Sequence, residues 1–185
     1  VVKKRNLGLR AMQKIVAQLL ITTALLFALH MNGTLTTFVT LPGLGYVDLG
    51  LLYYPLSYGL IIGIVNAVNL TDGKDGLATG CTIFCTLTYA AFAYLMGHAV
   101  FANYLKVPFI PGAGEGMVFA AAVCGGCIGF LWHNCHPASM FMGDTGSLAL
   151  GGAAGFLAVL VRQEVLLILV GGVFVMEAGS VMLQV

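Results

Sequence analysis

The sequence predicts an all-α protein that crosses a membrane several times. Of its 185 residues, 59% are hydrophobic and only 8% are charged, whereas soluble domains carry about 25% charged residues. The mean hydropathy is +0.98. So few charges cannot cover a water-exposed surface, so most of the surface must face lipid. The net charge of +1 gives no reason to expect a nucleic-acid partner.

Apolar runs long enough for membrane-spanning helices recur along the chain. A span needs about 20 predominantly apolar residues, and tilt or flanking residues help shorter ones. We predict one transmembrane domain over residues 1–185. Its six spans are expected near residues 15–30, 50–69, 77–97, 116–133, 146–161 and 165–185. Between the first two, residues 31–49 carry Thr, Val and Phe around Pro42 and Gly43, which is typical of a short β-hairpin.

The distribution of Lys and Arg indicates the orientation of the spans. Alternating loops place only Lys106 and Arg162 on one side of the membrane. The other side receives Lys3, Lys4, Arg5, Arg10, Lys14 and Lys74. Because positive charges concentrate in cytoplasmic loops, the richer side is predicted to be cytoplasmic and the hairpin periplasmic.

Two cysteines, Cys124 and Cys127, form a CxxC pattern that could suggest a metal or redox site. They lie in an apolar, Gly-rich run with no nearby His and no second CxxC. Buried cysteine packs well as a small apolar residue, so we interpret both as packing residues.

Polar residues concentrate in the first predicted cytoplasmic loop. Residues 66–76 read NAVNLTDGKDG, and the acids among them are Asp72 and Asp75. Asp and Asn supply the hard oxygen ligands that Mg²⁺ prefers, and Gly allows the backbone to approach a ligand closely. Ordinary turn and helix-cap chemistry uses the same residue types. The residues alone therefore support a binding loop and a plain turn equally.

The second cytoplasmic loop, residues 132–147, reads WHNCHPASMFMGDTGS. Pro137 ends the preceding helix. Asp144 opens the next one, where a carboxylate and backbone amides converge at a helix N-terminus, although a simple N-cap would also explain it. His133 and His136 are expected to make interfacial hydrogen bonds rather than to act as bases or ligands.

An acid, Glu177, falls within the sixth predicted span. An ionisable group inside a span suggests function by default, but we expect it to pair with a polar partner between helices.

Carboxylates, amides and nearby Lys on one face indicate a cytoplasmic cleft for a Mg²⁺-bound phosphorylated substrate.

Two long motifs, NAVNLTDGKDGLATG (residues 66–80) and FMGDTGSLALGG (residues 141–152), resemble the polyprenyl-phosphate N-acetylhexosamine-1-phosphate transferases. Their wording is most similar to the branch of phospho-N-acetylmuramoyl-pentapeptide transferases. The NxxPA of residues 134–138, the KKRNLGL of residues 3–9 and the hairpin-like loop favour the same branch. The resemblance covers essentially the whole chain.

The resemblance implies transfer of phospho-MurNAc-pentapeptide from UDP-MurNAc-pentapeptide to undecaprenyl phosphate. The products are lipid I for peptidoglycan synthesis and UMP, and Mg²⁺ is required. It implies a multi-pass enzyme of the bacterial inner membrane with a cytoplasmic active site, and it allows a homodimer. The alternatives are a sister transferase that moves GlcNAc-1-phosphate to the same lipid, and a transporter with a cytoplasmic cation site.

The resemblance also implies roles for the acids and amides of both loops. Asp144 is expected to bind Mg²⁺. Asp72 and Asp75 are expected to belong to the catalytic, nucleotide-facing loop. Asn66 and Asn69 are expected to orient the diphosphate or the ligands of the metal.

Other matched positions are expected to bind the nucleotide. Phe141 would stack on the uracil, and Asn134 would line the nucleoside pocket. Backbone groups of Gly73, Lys74 and the residue after them would read the uracil edge, and Lys4 is a candidate for phosphate contact.

Three departures from the family pattern affect these expectations. The family has an Asp-Asp pair shortly before KKRNLGL and a His cluster after the last span, and this sequence contains neither. The chain is therefore expected to be a central fragment that does not turn over alone. Lys74 stands where an apolar residue is usual in the DGxDG loop.

Overall fold

Helices make up most of the structure, a computed structural model that describes residues 11–33, 35–41 and 45–184. The helices are α1 Ala11–Met31, α2 Tyr53–Thr71, α3 Leu77–Gly97, α4 Ala99–Leu105, α5 Glu115–Asn134, α6 Gly143–Leu160, α7 Leu167–Val170 and α8 Gly172–Gln184. The strands are β1 Phe38–Leu41 and β2 Gly45–Asp48, and a 3-10 turn at Gly50–Leu52 leads into α2.

Five helices are long and apolar enough to cross a membrane, namely α1, α2, α3, α5 and α6. They match the first five predicted spans, and their ends lie within four residues of the predicted ones. The prediction of a helical, multi-pass membrane protein with a small antiparallel hairpin is therefore confirmed.

The sixth predicted span, near residues 165–185, is not confirmed. Two shorter helices, α7 and α8, occupy this region and are separated at Gly171. A Cβ atom at Gly171 would lie 2.8 Å from the Leu167 carbonyl oxygen and 3.1 Å from Ile64 Cδ1, so the chain passes close to α2 at the point where α7 ends. With 13 residues, α8 is shorter than the roughly 20 residues that a span needs.

Two antiparallel helix pairs form the centre of the bundle. The most extensive contacts join α3 to α5 and α2 to α6, and α8 also packs against α2. Val68, Tyr89, Leu157 and Phe174 are fully buried within one core cluster where these helices meet. The core therefore fixes α2 between α6 and α8.

The backbones of α2 and α6 approach each other closely at Gly151. A Cβ atom there would lie 2.6 Å from Val65 Cα and 3.1 Å from the Ile64 carbonyl oxygen, whereas one at Gly152 would meet nothing within 4 Å. In lipid, small residues allow helices to associate through backbone contact, because burial of apolar groups gives little net gain. This contact sets the separation between the end of α2 and the start of α6.

The β-hairpin lies between the end of α1 and the start of α2. Val39 pairs with Val47 in an antiparallel register. Asp48 ends the hairpin, since its Oδ1 accepts hydrogen bonds from the Thr37 hydroxyl and, at 2.9 Å, from the Gly50 N–H. We call this the hairpin end of the bundle. The opposite end, where α2 gives way to Asp72 and Asp75 and α6 begins at Asp144, is the carboxylate end.

A buried carboxyl group joins α2 to the segment after α6 at the hairpin end. Glu164 is 1% exposed and accepts a 2.7 Å hydrogen bond from the Tyr53 hydroxyl. Within the described chain its Oε2 atom has no hydrogen-bond partner. Burial raises the pKa of Glu164 to about 6, against the lowering effects of the Tyr53 bond and the Arg162 charge. The Glu164 carboxyl group therefore stays mostly protonated up to about pH 6.

The contact at Gly151 leads to a first prediction. We expect Gly151→Ala to lower the midpoint of thermal unfolding in detergent, because its methyl group overlaps the α2 backbone. Overpacking of this kind costs about 1–3 kcal/mol, which outweighs the gain of about 1 kcal/mol in helix propensity. Gly152→Ala is the matched control and should be neutral or stabilising. Equal midpoints for the two variants would contradict the close approach.

The state of Glu164 leads to a prediction about pH. Its native pKa, about 6, lies above the ordinary value of 4.5. Protonation therefore stabilises the native state fully below pH 4.5, and this stabilisation is lost as the pH rises through about 6. The loss is about 2 kcal/mol. We expect Glu164→Gln, measured by thermal unfolding, to raise stability above pH 7 and to flatten the pH dependence.

The matched control for this measurement is Glu115→Gln, an exposed acid at the same end. It should leave the pH profile unchanged. If thermal stability falls as steeply with pH in Glu164→Gln as in the parent protein, Glu164 does not cause the pH dependence.

Candidate active site

Polar side chains of three helices meet at the carboxylate end. Asp144, in the first turn of α6, pairs through Oδ2 with Lys14 of α1. Its Oδ1 accepts a 3.0 Å hydrogen bond from Asn69 Nδ2 on α2, and the same Nδ2 donates to the Ser147 hydroxyl at 2.9 Å. The Asp144 side chain remains 57% exposed. Its carboxylate is thus held in one orientation while open to a ligand.

Asn66 lies about one helical turn before Asn69 on α2, and its side chain contacts Gln18 of α1 rather than Asp144. Its Nδ2 donates to the Ile62 carbonyl oxygen at 2.8 Å and to Gln18 Oε1 at 3.1 Å, and Gln18 donates back at 3.4 Å. Gln18 is buried. The pair connects α1 to α2 below Asp144, and a direct role of Asn66 at a diphosphate stays a prediction.

A second carboxylate, that of Asp72, lies close to Asp144. Burial raises the pKa of Asp72, a hydrogen bond from the Gly143 N–H lowers it, and the negative charge of Asp144 raises it again. Asp72 follows the last residue of α2, and Gly143 begins α6. The two carboxylates therefore belong to different loops and are close enough for their charges to interact.

Asp75 connects its own loop to the loop between α5 and α6. Its Oδ2 accepts a 3.1 Å hydrogen bond from the Ala138 N–H and lies 3.2 Å from His136 Nδ1. The hydrogen bonds of Asp75 thus join it to the second loop rather than to Asp144.

Asn134 holds these two loops together from inside. Its Oδ1 accepts hydrogen bonds from the Gly76 N–H at 3.1 Å and the Thr79 hydroxyl at 2.9 Å, and its Nδ2 donates to the Met140 carbonyl oxygen at 2.9 Å. Asn134 is 3% exposed. Its side chain therefore supports both loops, and direct contact with a nucleoside stays a prediction.

The remaining predicted nucleotide-binding residues lie at the surface where the structure describes them. Phe141 is 75% exposed just before α6. Gly73 and Lys74 lie in the turn after α2, and the Lys74 ammonium is 3.5 Å from Glu177. Glu177 therefore has a polar partner, as expected, but that partner belongs to a loop and not to a neighbouring helix. Lys4 lies outside the described residues.

An apolar groove of about 880 Å³ leads away from the carboxylates between α1, α2, α5 and α6. Lys14 and Asp144 stand at one end, and the groove follows α1 as far as Leu25. At 1.5 Å per residue, that stretch of α1 is roughly 17 Å long. The apolar groove therefore begins directly beside the ion pair of Lys14 and Asp144.

A family model described as glycosyl transferase family 4 matches residues 6–162, which is most of the sequence. The chain belongs to glycosyl transferase family 4. Its relatives include three proteins named phospho-N-acetylmuramoyl-pentapeptide-transferase. The one from Thermodesulfovibrio yellowstonii is 48% identical over 189 residues, that from Desulfosudis oleivorans 47% over 186, and that from Methylacidiphilum infernorum 45% over 191.

Each of these matches covers 100% of the chain and 52% of the relative. The chain thus spans about half the length of the relatives it matches. The family membership and the names of the relatives agree with the resemblance found in the two loop motifs.

Two residues of this family 4 site, Lys14 and Gln18, were missed by the sequence analysis. They lie four positions apart in the largely apolar α1, and that spacing places them on one helical face. A paired polar face on a membrane helix was the available signal. Cys124 and Cys127 are buried in α5, as expected of packing residues.

Proposed function

We propose that the chain is the nucleotide- and metal-binding part of a phospho-N-acetylmuramoyl-pentapeptide transferase. The reaction moves phospho-MurNAc-pentapeptide from UDP to undecaprenyl phosphate on the cytoplasmic side of the bacterial inner membrane. The observation that carries the proposal is the cluster of Asp72, Asp144, Asn69 and Lys14, of which Lys14 and Asp144 also line one end of an apolar groove. Relatives with 45–48% identity bear this enzyme's name.

The donor set at this cluster fits Mg²⁺ bound together with a substrate. Mg²⁺ is commonly held by one or two carboxylates, with waters and substrate phosphates completing the coordination. Asp72 and Asp144 supply two carboxylates whose charges repel each other, which favours a cation between them. When bound, Mg²⁺ would neutralise the diphosphate and stabilise the departing UMP.

The donor nucleotide would lie across the two loops. The exposed ring of Phe141 offers a face for stacking on uracil, and the turn at Gly73 and Lys74 offers backbone groups. Asn134 fixes both loops by three hydrogen bonds. A rigid loop pair lowers the entropic cost of orienting the diphosphate for reaction.

The acceptor lipid would enter from the membrane. Its isoprenoid chain fits the apolar groove along α1, and its phosphate would then lie beside Lys14 and Asp144. A new bond forms between an acceptor phosphate oxygen and the sugar-linked phosphorus of the donor. The bond from that phosphorus to the bridging oxygen of UMP breaks. Lys14 and Asn69 position the groups, which is the main task of a protein in phosphoryl transfer.

The positions of the acids disfavour a transporter. Transport sites typically use ionisable residues near the middle of the membrane. All seven acids lie at the two ends of the bundle: Asp72, Asp75, Asp144 and Glu177 at the carboxylate end, and Asp48, Glu115 and Glu164 at the hairpin end. The names of the relatives likewise favour the muramoyl-pentapeptide transferase over its GlcNAc-1-phosphate sister.

The role of Asp144 can be tested in the full-length enzyme. We expect Asp144→Asn to lower the rate of Mg²⁺-dependent UMP release from UDP-MurNAc-pentapeptide by at least about 100-fold, because the amide loses the charge that binds the cation. The Asn69 hydrogen bond needs only an oxygen acceptor, so folding should be retained. A thermal unfolding curve checks this.

The matched control is Asp48→Asn, which removes an acid at the hairpin end. It should leave UMP release unchanged. Near-normal release by Asp144→Asn would exclude Asp144 as the metal ligand.

A further inference from the structure

A second polar pair lies apart from the metal-binding carboxylates, at the surface of the loop between α5 and α6. The His136 side chain is 86% exposed, yet its Nδ1 atom is 3.2 Å from the carboxylate of Asp75. Asp75 is itself held by the Ala138 N–H. The imidazole is therefore exposed but oriented, which is unusual for a surface histidine.

The chemistry of the pair decides which atom faces outward. An ionised carboxylate only accepts hydrogen bonds, so Nδ1 must carry the proton in the contact with Asp75. In the neutral imidazole this leaves Nε2 as a lone-pair acceptor. Within the described part of the chain, Nε2 of His136 makes no hydrogen bond.

His133, three residues earlier, shows the contrast. It is also exposed, but its imidazole has no hydrogen-bond partner among the residues that the structure describes. Its backbone carbonyl oxygen accepts bonds from the N–H groups of Ser139 and Met140. The backbone of His133 thus shapes the loop, while the side chain is left without an orienting partner.

We propose that His136 is a further substrate-positioning residue, whose Nε2 accepts a hydrogen bond from the uridine of the donor nucleotide. This rests on the proposed function, which places the nucleoside between the turn at Gly73 and the exposed Phe141 ring. An acceptor atom needs a donor, and a uridine offers two kinds, the ribose hydroxyls and the imide N–H of the base. Diphosphate oxygens offer none near neutral pH.

The hydrogen bonds around Asp75 support a positioning role for His136. Asp75 is bonded to His136 and Ala138, and Asn134 fixes the next turn through Gly76. The imidazole is thus oriented before the nucleotide arrives. A ligand then pays little of the entropy that a mobile side chain would cost.

The test is UMP binding to the purified membrane protein by titration calorimetry at neutral pH. We expect His136→Ala and His136→Asn to weaken binding about three- to tenfold, the effect of one lost hydrogen bond. The Asn amide ends near the position of Nδ1, so it keeps the bond to Asp75 but does not reach the Nε2 position. His133→Ala is the matched control and should bind as the parent protein does.

The outcomes separate the proposals. UMP binding that is unchanged in His136→Ala overturns the inference and leaves the proposed function standing. Full binding by His136→Asn with weakened binding by His136→Ala shows only a structural role and also overturns it. No UMP binding by the parent protein overturns the proposed function, and the inference with it.

Nucleotide analogues identify the contact. If His136 binds a ribose hydroxyl, the UMP analogue that lacks that hydroxyl, either 2′-deoxy-UMP or 3′-deoxy-UMP, loses affinity in the parent protein and loses nothing further in His136→Ala. If it binds the imide N–H, 3-methyl-UMP loses affinity in the parent protein and loses nothing further in His136→Ala. If His136→Ala weakens UMP binding but leaves uridine binding unchanged, the phosphate is the contact and the inference is wrong.

Discussion

The backbone contact between α2 and α6 at Gly151 determines where the charged groups of this membrane protein lie. Side chains larger than hydrogen do not fit between Gly151 and Val65. Since lipid gives apolar helices little reason to associate, such close contacts must hold the bundle together. With α2 and α6 in contact, Asn69 reaches Asp144 across the helix pair. The position of the Asp144 carboxylate thus follows from a packing constraint about two turns away.

The carboxylate end combines a buried framework with exposed functional groups. Asn134 is buried and connects both loops, and the Asn66–Gln18 pair connects α1 to α2 below the surface. Asp144, Phe141 and His136 are exposed. Buried amides with satisfied hydrogen bonds rigidify a loop, whereas exposed groups remain free to bind. The arrangement is therefore suited to orienting a large anionic substrate rather than enclosing it.

Much of the architecture could be predicted from local sequence properties. Five spans, the hairpin and the shared location of Asp72, Asp75 and Asp144 follow from apolar run length, turn residues and the alternation of loops. The break at Gly171 could not be predicted, because the residues around it are as apolar as those of a continuous span. A Cβ atom at Gly171 would meet Ile64, a residue more than 100 positions earlier, and the sequence does not show that this part of the chain lies against α2.

The partners of individual side chains were also beyond the sequence. Lys14 meets Asp144 only because three helices converge, and Asn134 looks like a surface loop residue until its buried contacts are known. Residue type indicated that these loops bind something, since hard oxygens and glycines suit a metal and a phosphate. Which side chains support the loops and which face the ligand depends on tertiary packing.

The central claim is that Asp72 and Asp144 hold a divalent cation together with the diphosphate of the donor. Electron–nuclear double resonance on the full-length enzyme, with Mn²⁺ in place of Mg²⁺ and UDP-MurNAc-pentapeptide bound, tests it most directly. The claim predicts a phosphorus hyperfine coupling to the bound manganese that is present in the parent protein and lost when Asp144 is replaced by Asn. Bound manganese without any phosphorus coupling in the parent protein would contradict it.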